Sequence, residues 1–195
     1  MEEITFAELK ELFKETDKKF KETREMIREL SKASAETDKK FQETDRMIKE
    51  ISAELGGIGR SNGQIAEDFF YTALTNTMQI CNLKFDFIDR NTIRRRNNTA
   101  AEYDIILYND YKVLIVEVKH NFRYNYLRDF YNRIKKFRIL YHEYKNYKIY
   151  AAIAAMTFEN DALKEAKEYG FYILTQNNQN IQILNPTDFE PTEFK

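Results

Sequence analysis

The sequence predicts an α/β fold that is preceded by one long coiled-coil helix. Three observations support this prediction: a heptad pattern over residues 6–55, a cluster of glycines directly after it, and alternating helical and strand-like apolar patterns over residues 64–195. We therefore divide the chain into a coiled-coil stalk (1–55), a glycine-rich hinge (56–63) and an α/β domain (64–195).

The stalk contains one sequence twice. The segment ETDKKFKETREMIREL (15–30) recurs as ETDKKFQETDRMIKEI (36–51), an offset of 21 residues, or three heptads. Position a is apolar in every heptad except that of Ser34, and position d holds threonine in four heptads and Leu or Ile in three. This register is typical of a coiled coil, so we expect homo-oligomers through residues 6–55. The alternative is an amphipathic helix that lies on its own globular domain.

The hinge is predicted from glycine content. Four of the five glycines fall within GGIGRSNG (56–63). Because glycine disfavours helix and is frequent just beyond helix ends, we expect the long helix to end at Gly56 and Gly57. Ser61 or Asn62 would then cap the next helix.

The α/β domain shows the order αβββαβ followed by αββ. The apolar run 147–157 is typical of a central strand that is buried on both faces, so we expect an α/β/α sandwich. A tight turn at Asn109-Asp110 joins two of the strands. The predicted helices cover 64–77, 124–145 and 159–170, the predicted strands cover 83–89, 101–108, 111–119, 147–157, 171–176 and 181–185, and residues 90–100 are predicted as a polar basic loop.

The charges are distributed unevenly. The whole chain has 31 Lys/Arg and 32 Asp/Glu, but residues 84–148 hold 15 and 8, a net charge of +7. A basic centre favours binding of polyanions such as nucleic acid. There are two alternatives: the arginine run is a solvated loop, and the tyrosine-rich helix 124–145 simply packs in the core. The candidate phosphate contacts are Arg90, Arg94, Arg95, Arg96, Arg128 and Lys135.

Composition excludes several classes of protein. With one cysteine and two histidines, neither an intrachain disulfide nor a Cys/His zinc cluster is possible. The charged beginning of the sequence lacks the apolar stretch of a signal peptide, and no apolar run reaches 18 residues. We therefore expect a cytoplasmic protein without a membrane segment.

Three charged residues stand in the predicted hairpin 101–119. Glu117 and Lys119 point to the same side of their strand, and the turn brings Asp104 of the neighbouring strand close to Glu117. Two adjacent carboxylates repel each other unless one is protonated or a cation lies between them, and carboxylate oxygens suit Mg²⁺ or Mn²⁺. The alternative is a partly exposed ion pair between Glu117 and Lys119 at the strand end.

This pattern resembles a known family. Asp104, twelve residues, then Glu117-Val118-Lys119 resembles the D…ExK signature of the PD-(D/E)XK nuclease superfamily, and the αβββαβ order is similar to its core. The segments ETDKKF, GGIGRSNG, VEVK and NPTDF, in that order, resemble the layout of a bacterial and archaeal branch that carries an N-terminal heptad-repeat coiled coil.

The resemblance implies a restriction-endonuclease-like α/β/α core and a Mg²⁺- or Mn²⁺-dependent nuclease that hydrolyses DNA. It assigns Asp104 and Glu117 as metal ligands, Lys119 as the catalytic lysine, and Glu67 as the acidic residue of the first core helix and a further metal ligand. Tyr103 stands where many members have proline. The rival hypotheses are a non-catalytic interaction or nucleic-acid-binding module that retains the fold, and an enzyme of the same fold that acts on RNA or on modified nucleotide ends.

Overall fold

The computed structural model describes residues 5–195. Its elements are helix α1 (Phe6–Thr77), strands β1 (Gln79–Ile80), β2 (Leu83–Lys84), β3 (Phe87–Arg96), β4 (Thr99–Tyr108) and β5 (Lys112–Phe122), helix α2 (Tyr124–Leu140), strand β6 (Lys148–Phe158), helix α3 (Asn160–Glu168), and strands β7 (Tyr172–Asn177) and β8 (Asn180–Ile183). The α/β class and the long N-terminal helix are confirmed. Two compact units, Met1–Gly57 and Ile58–Lys195, make up the chain.

Helix α1 begins with a reciprocal capping arrangement. The Thr5 N–H donates to Glu8 Oε2 (2.8 Å), and the Glu8 N–H donates to Thr5 Oγ1 (3.4 Å). This capping box satisfies two backbone donors that the first turn leaves without partners. No glycine or proline interrupts the sequence before Gly56, and the predicted helical stalk is observed.

The helix end predicted at Gly56 and Gly57 is wrong. The backbone remains helical through residues 56–63, and Gly170 is the glycine with a positive φ. Each helical glycine costs roughly 1 kcal/mol relative to alanine, but helical sequence on both sides can carry the helix across four of them. The glycines therefore weaken the helix locally without ending it. That this segment acts as a hinge stays a prediction.

The unit Ile58–Lys195 contains a six-stranded sheet in the order β3-β4-β5-β6-β7-β8. Strands β5, β6 and β7 are mutually parallel, and the other neighbouring pairs are antiparallel. Because parallel neighbours need crossover connections, α2 lies between β5 and β6 and α3 between β6 and β7. Strands β1 and β2 form a separate small hairpin, which splits the strand predicted at 83–89.

Each face of the sheet carries its own apolar core. On one face, α2 and α3 supply residues such as Phe130, Phe137 and Ala166. On the other face, the end of α1 supplies Ala66, Phe70 and Leu74. These residues recur at helical spacing, so each helix turns one apolar stripe toward the strands. The result is the predicted α/β/α layering.

The basic segment 90–100 is a strand rather than a loop. Residues 87–96 pair with β4 from Phe87↔Tyr108 to Arg96↔Thr99, and the turn lies at Asn97 and Asn98. Asn97 takes the left-handed backbone conformation (φ 51°), which asparagine tolerates in tight turns. The loop was predicted because this segment is polar, but a strand at the edge of a sheet tolerates charged side chains. Helix α2 also ends at Leu140, five residues earlier than predicted.

Candidate active site

The site lies where strand β4 separates from β5. The paired register of these strands extends from Tyr108↔Val113 to Ile105↔Val116. Beyond that point the Asp104 side chain replaces a backbone partner: Asp104 Oδ2 accepts the Val118 N–H at 2.8 Å. The carboxylate is thereby fixed between the two strands.

Strand β4 reverses its faces at Asp104. Ala101 and Tyr103 pack on the side of α2 and α3, whereas Ile105 and Leu107 pack on the side of α1. Regular alternation would place all four on one face. Asn91 of the paired strand has a left-handed backbone (φ 48°) within the same stretch, so both strands are distorted here. Asp104 therefore stands at a break in the sheet.

Glu117 is the most deeply buried acid of the site. Its side chain is only 2% exposed, and Glu117 Oε1 accepts from Lys119 Nζ at 2.7 Å and from Arg133 Nη2 at 2.5 Å. Glu117 and Lys119 lie on the same side of β5, as predicted. The ion pair of the alternative interpretation is also present, and it is partly exposed as that interpretation predicts: the Glu117 side chain is 2% exposed and the Lys119 side chain 32%.

The Lys119 ammonium lies among three oxygen atoms. Its Nζ is 2.7 Å from Glu117 Oε1, 3.3 Å from Asp104 Oδ2 and 2.8 Å from the Val118 carbonyl oxygen. Two carboxylates and one carbonyl thus converge on a single cation. This donor set is of the hard-oxygen type that Mg²⁺ and Mn²⁺ prefer, so these three residues fit a divalent ion.

The electrostatics follow from burial. Burial, together with repulsion from Asp104, raises the pKa of Glu117 despite the opposing effects of Lys119 and Arg133. Burial acts to lower the pKa of Lys119, but attraction by Glu117 and Asp104 outweighs it and the net shift is upward. Lys119 is therefore held as a cation, whereas ionised Glu117 is stabilised only by its cationic neighbours.

Arg133 of α2 is the site residue that sequence reasoning missed. Its side chain is 26% exposed and pairs with Glu117, while its Nε has no hydrogen-bond partner within residues 5–195. The buried Tyr103 hydroxyl donates to the Arg133 carbonyl (3.0 Å) and ties α2 to β4. A signal existed: Arg133 lies three residues after Phe130 and four before Phe137, on the apolar stripe of its helix. An arginine on the apolar stripe of a helix is turned toward the core, where it needs an acidic side chain as a partner.

A cleft of about 480 Å³ opens beside these residues. Glu117 and Lys119 form its floor on β5, and α2 supplies the remaining wall, which includes two further basic side chains. The cleft is thus lined by two carboxylates and three cations, together with a tyrosine and an asparagine. The α2 residues that line it are Tyr126, Asp129, Asn132, Arg133 and Lys136.

Glu67 approaches the site from α1, on the other face of the sheet. It is half-buried, and burial together with repulsion from Asp104 raises its pKa, against a hydrogen bond from Asn91. Within residues 5–195, no group of three or more His, Cys, Asp or Glu side chains is arranged to hold a metal ion. The role of Glu67 as a third metal ligand therefore stays a prediction.

The predicted phosphate contacts are dispersed. Arg90 pairs with Asp68 (2.7 Å), Arg94 pairs with Glu143 and lies over the Tyr141 ring, and Lys135 lies over a tyrosine ring of its own helix. Arg128 and Lys135 line other grooves than the cleft beside Glu117. Arg95 and Arg96 are exposed at the end of β3. The helix phase brings Arg133 and Lys136 to the cleft instead.

No protein-family model matches the sequence, and no curated protein matches it either. A solved structure, a repair endonuclease from Pyrococcus abyssi, is similar with a TM-score of 0.45 and 13% sequence identity over 57% of this chain. The matched part spans 46% of that structure's length. At this level the likeness supports no conclusion about function.

No helix within residues 5–195 has the length and apolar content to cross a bilayer.

Proposed function

We propose that residues 58–195 form a metal-dependent nuclease domain that hydrolyses DNA and is mounted on an oligomerising coiled coil. One observation carries this proposal: the buried carboxylates of Asp104 and Glu117 and the Val118 carbonyl converge on one cationic position beside a basic cleft. Burying carboxylates is costly, and this arrangement has the chemistry of a cation site.

Asp104, Glu117 and the Val118 carbonyl would hold the ion, with Glu67 as the predicted further ligand. A bound Mg²⁺ or Mn²⁺ would supply Lewis acidity and make a water nucleophilic near neutral pH. The pairing of Arg133 with Glu117 favours the ionised form of that carboxylate, against the opposing effects of burial and of Asp104, and occupies an oxygen atom that the ion would use. In the metal-free site, attraction by Glu117 and Asp104 raises the pKa of Lys119 and favours its cationic form.

Lys119 has a second task in this proposal. With a divalent ion held by the oxygen atoms that the ammonium now contacts, Lys119 would be able to donate toward the phosphate or the attacking water. A donor aimed at developing charge in a buried site typically contributes 10²–10³-fold to the rate, or roughly 3–4 kcal/mol. Lys119 is thus the candidate catalytic residue that affects rate more than metal affinity.

Nucleic acid would enter along the basic side of the cleft. Arg133 and Lys136 place two positive charges on the α2 wall, beside Glu117 and Lys119. Arginine and lysine contacts to phosphates supply affinity without sequence readout. These contacts favour nonspecific binding of a polynucleotide backbone.

A specific observation also favours the non-catalytic module. Lys119 and Arg133 already neutralise Glu117 within the chain, so the network satisfies itself as a purely structural ion-pair cluster. In that case the basic surface would bind nucleic acid, and the stalk would join copies or partners, without hydrolysis.

Cleavage assays on supercoiled, linear, single-stranded and branched DNA and on RNA, each with Mg²⁺ and Mn²⁺, distinguish the two. We expect metal-dependent cleavage by the wild type, none by Glu117→Gln, and a 10²–10³-fold slower rate with retained substrate binding for Lys119→Ala. Glu102→Gln, an exposed acid on β4, and Lys112→Ala, a lysine on β5 outside the cleft, serve as matched controls with wild-type rates. Nucleic-acid binding without cleavage under any of these conditions would support the non-catalytic module.

A further inference from the structure

The seam of the stalk is a large apolar surface. Ten Phe, Leu and Ile side chains at positions a and d are 45–84% exposed in the single chain. An aromatic side chain can bury about 150–250 Å², so covering this seam in a pair of helices would bury on the order of 2,000 Å². That is the size of a stable protein–protein interface. The ten are Phe6, Leu9, Phe13, Phe20, Ile27, Leu30, Phe41, Ile48, Ile51 and Leu55.

The threonines at position d are suited to the same seam. Each hydroxyl donates to a backbone carbonyl four residues earlier, at 2.7–2.8 Å. A hydroxyl that is satisfied within its own helix can be buried without losing a hydrogen bond, and the methyl group is left to pack. At these four d positions the seam is therefore small and apolar in effect. The four are Thr16, Thr23, Thr37 and Thr44.

The orientation of the pair follows from the sizes of these side chains. In a parallel, in-register pair, a packs on a and d on d, so a layer of two phenylalanines at Phe13 alternates with a layer of two threonines at Thr16. Two helices keep a nearly constant separation of about 8–10 Å, so this alternation overpacks one layer and leaves a void in the next. In an antiparallel pair, a packs on d of the partner, and each phenylalanine meets a threonine or an aliphatic side chain.

Ser34 selects one register. When Phe20 lies opposite Thr44 and Phe41 opposite Thr23, Ser34 falls opposite Leu30. A shift of one heptad in either direction places Ser34 opposite a threonine, which creates a layer of two small polar residues. The register with Ser34 on Leu30 has no such layer, so its layers are the most even in size.

We infer that two copies of this chain pair antiparallel through residues 9–55, with Phe20 of one copy opposite Thr44 of the other and a two-fold axis at Lys32. This inference rests on the oligomerisation in the proposed function and specifies the partner and its orientation. The consequence is that the two α/β domains emerge from opposite ends of the paired segment. Each site would then engage nucleic acid independently rather than side by side with its copy.

Spin-label distances test the orientation on the full chain with its seam intact. Lys18→Cys and Lys32→Cys, each in a Cys81→Ser background, place a label at outward f positions, and Cys81 is the exposed native cysteine that must be removed. In the antiparallel pair, Lys18 lies level with Arg46 of its partner, so its two labels are separated by 28 residues, about 42 Å along the axis. The two Lys32 labels lie at the same level on opposite outer sides of the pair, about 20 Å apart, from two helix diameters.

We expect a distance near 45 Å for Lys18 and near 20 Å for Lys32. Short distances at both positions would overturn the antiparallel orientation while leaving oligomerisation intact. A monomer mass by light scattering, with no dipolar coupling at either position, would overturn oligomerisation itself and with it that part of the proposed function.

Disulfide trapping in a glutathione buffer supplies a second measurement. Phe20→Cys with Thr44→Cys should cross-link copies, whereas Phe20→Cys with Thr37→Cys, the register shifted by one heptad, should cross-link far less. Residues 20 and 44 of one chain are about 36 Å apart along the helix, so a disulfide between them must join two copies. Equal trapping of both pairs would contradict the register, and trapping of Phe20→Cys alone would contradict the orientation.

Discussion

The two units of this chain depart from normal burial in opposite directions. The stalk leaves large apolar side chains exposed, such as Phe13 at 67% and Phe41 at 66%. The α/β unit instead buries two carboxylates, Asp104 at 8% and Glu117 at 2% exposure. A regular stripe of exposed apolar side chains is stabilised by packing against another protein surface, whereas buried carboxylates are stabilised by cations. Each departure therefore indicates the chemistry of a different partner.

The difference also predicts how each unit responds to conditions. In the proposed oligomer, association of the stalk would bury apolar area between molecules, so the stability of the stalk should depend on protein concentration. The carboxylates of the α/β unit are neutralised within one molecule, by Lys119 and Arg133, so its stability should depend on cations and on pH. The following changes test the two dependences separately.

The largest expected effect is on the stalk. Phe20→Asp with Phe41→Asp places a charge in two seam layers of each copy, and desolvating these charges should outweigh the association, leaving monomers with a folded α/β unit. Light scattering measures the mass and circular dichroism the fold.

Ala35→Asp with Gln42→Asp is the matched control, since it adds the same charge at b positions of the same helix. It should leave the oligomer intact. If the seam variant keeps the wild-type mass, the helix does not associate through this face.

The second effect concerns the basic hairpin. Arg95→Ala with Arg96→Ala should reduce the log–log salt dependence of DNA binding by up to about two units, at roughly 0.9 for each phosphate that is no longer neutralised. Arg94→Ala should change the salt slope little, because its guanidinium already pairs with Glu143. An unchanged salt slope in the double variant would show that Arg95 and Arg96 are solvated and make no phosphate contacts. The binding titration should use metal-free protein, so that cleavage does not interfere.

The smallest effect concerns Arg133. Arg133→Met removes a positive charge beside Glu117 while keeping most of the side-chain volume, so metal affinity should rise, by less than about tenfold or 1.4 kcal/mol. Isothermal calorimetry with Mn²⁺ measures it. Lys136→Met, which removes a cation from the same cleft without touching Glu117, should have less effect. A fall in affinity for Arg133→Met would show that Arg133 positions Glu117 for the metal rather than competing with it.

Much of the site could be predicted because strand alternation and a short turn are local. Side chains in a strand alternate faces with a period of two residues, which places Glu117 and Lys119 on the same side. The short turn at 109–110 then brings Asp104 close to Glu117. The reversal of β4 at Asp104 could not be predicted, since it accompanies a distortion of the paired strand, where Asn91 has a left-handed backbone. The contact with Arg133 joins residues far apart in sequence, and only the packing of α2 on the sheet brings it about.

The misjudged segments share one physical cause. Gly56 and Gly57 favour a helix end, and the arginines at 94–96 favour a loop, but both preferences are small next to the structure on either side. Helical sequence continues after the glycines, and β4 offers a complete row of backbone partners to β3. Local propensity therefore failed where the hydrogen bonds and packing of neighbouring elements were stronger.

The central claim, that Asp104 and Glu117 form a cation site, is tested most directly by thermal melts of the wild type and Glu117→Gln at pH 7, with and without Mg²⁺ or Mn²⁺. Because the pKa of Glu117 is raised above 4.5 in the folded state, its favourable contribution is complete below pH 4.5 and is lost as pH rises through the folded pKa. The metal-free variant should therefore melt no lower than the metal-free wild type at pH 7. The wild type should gain about 2.7 kcal/mol, or roughly 5–10 °C in Tm, at a metal concentration a hundredfold above Kd, and the variant should gain almost nothing. A wild type that gains no stability from either metal, together with a variant that melts lower in every condition, would contradict the cation site and leave a structural ion pair.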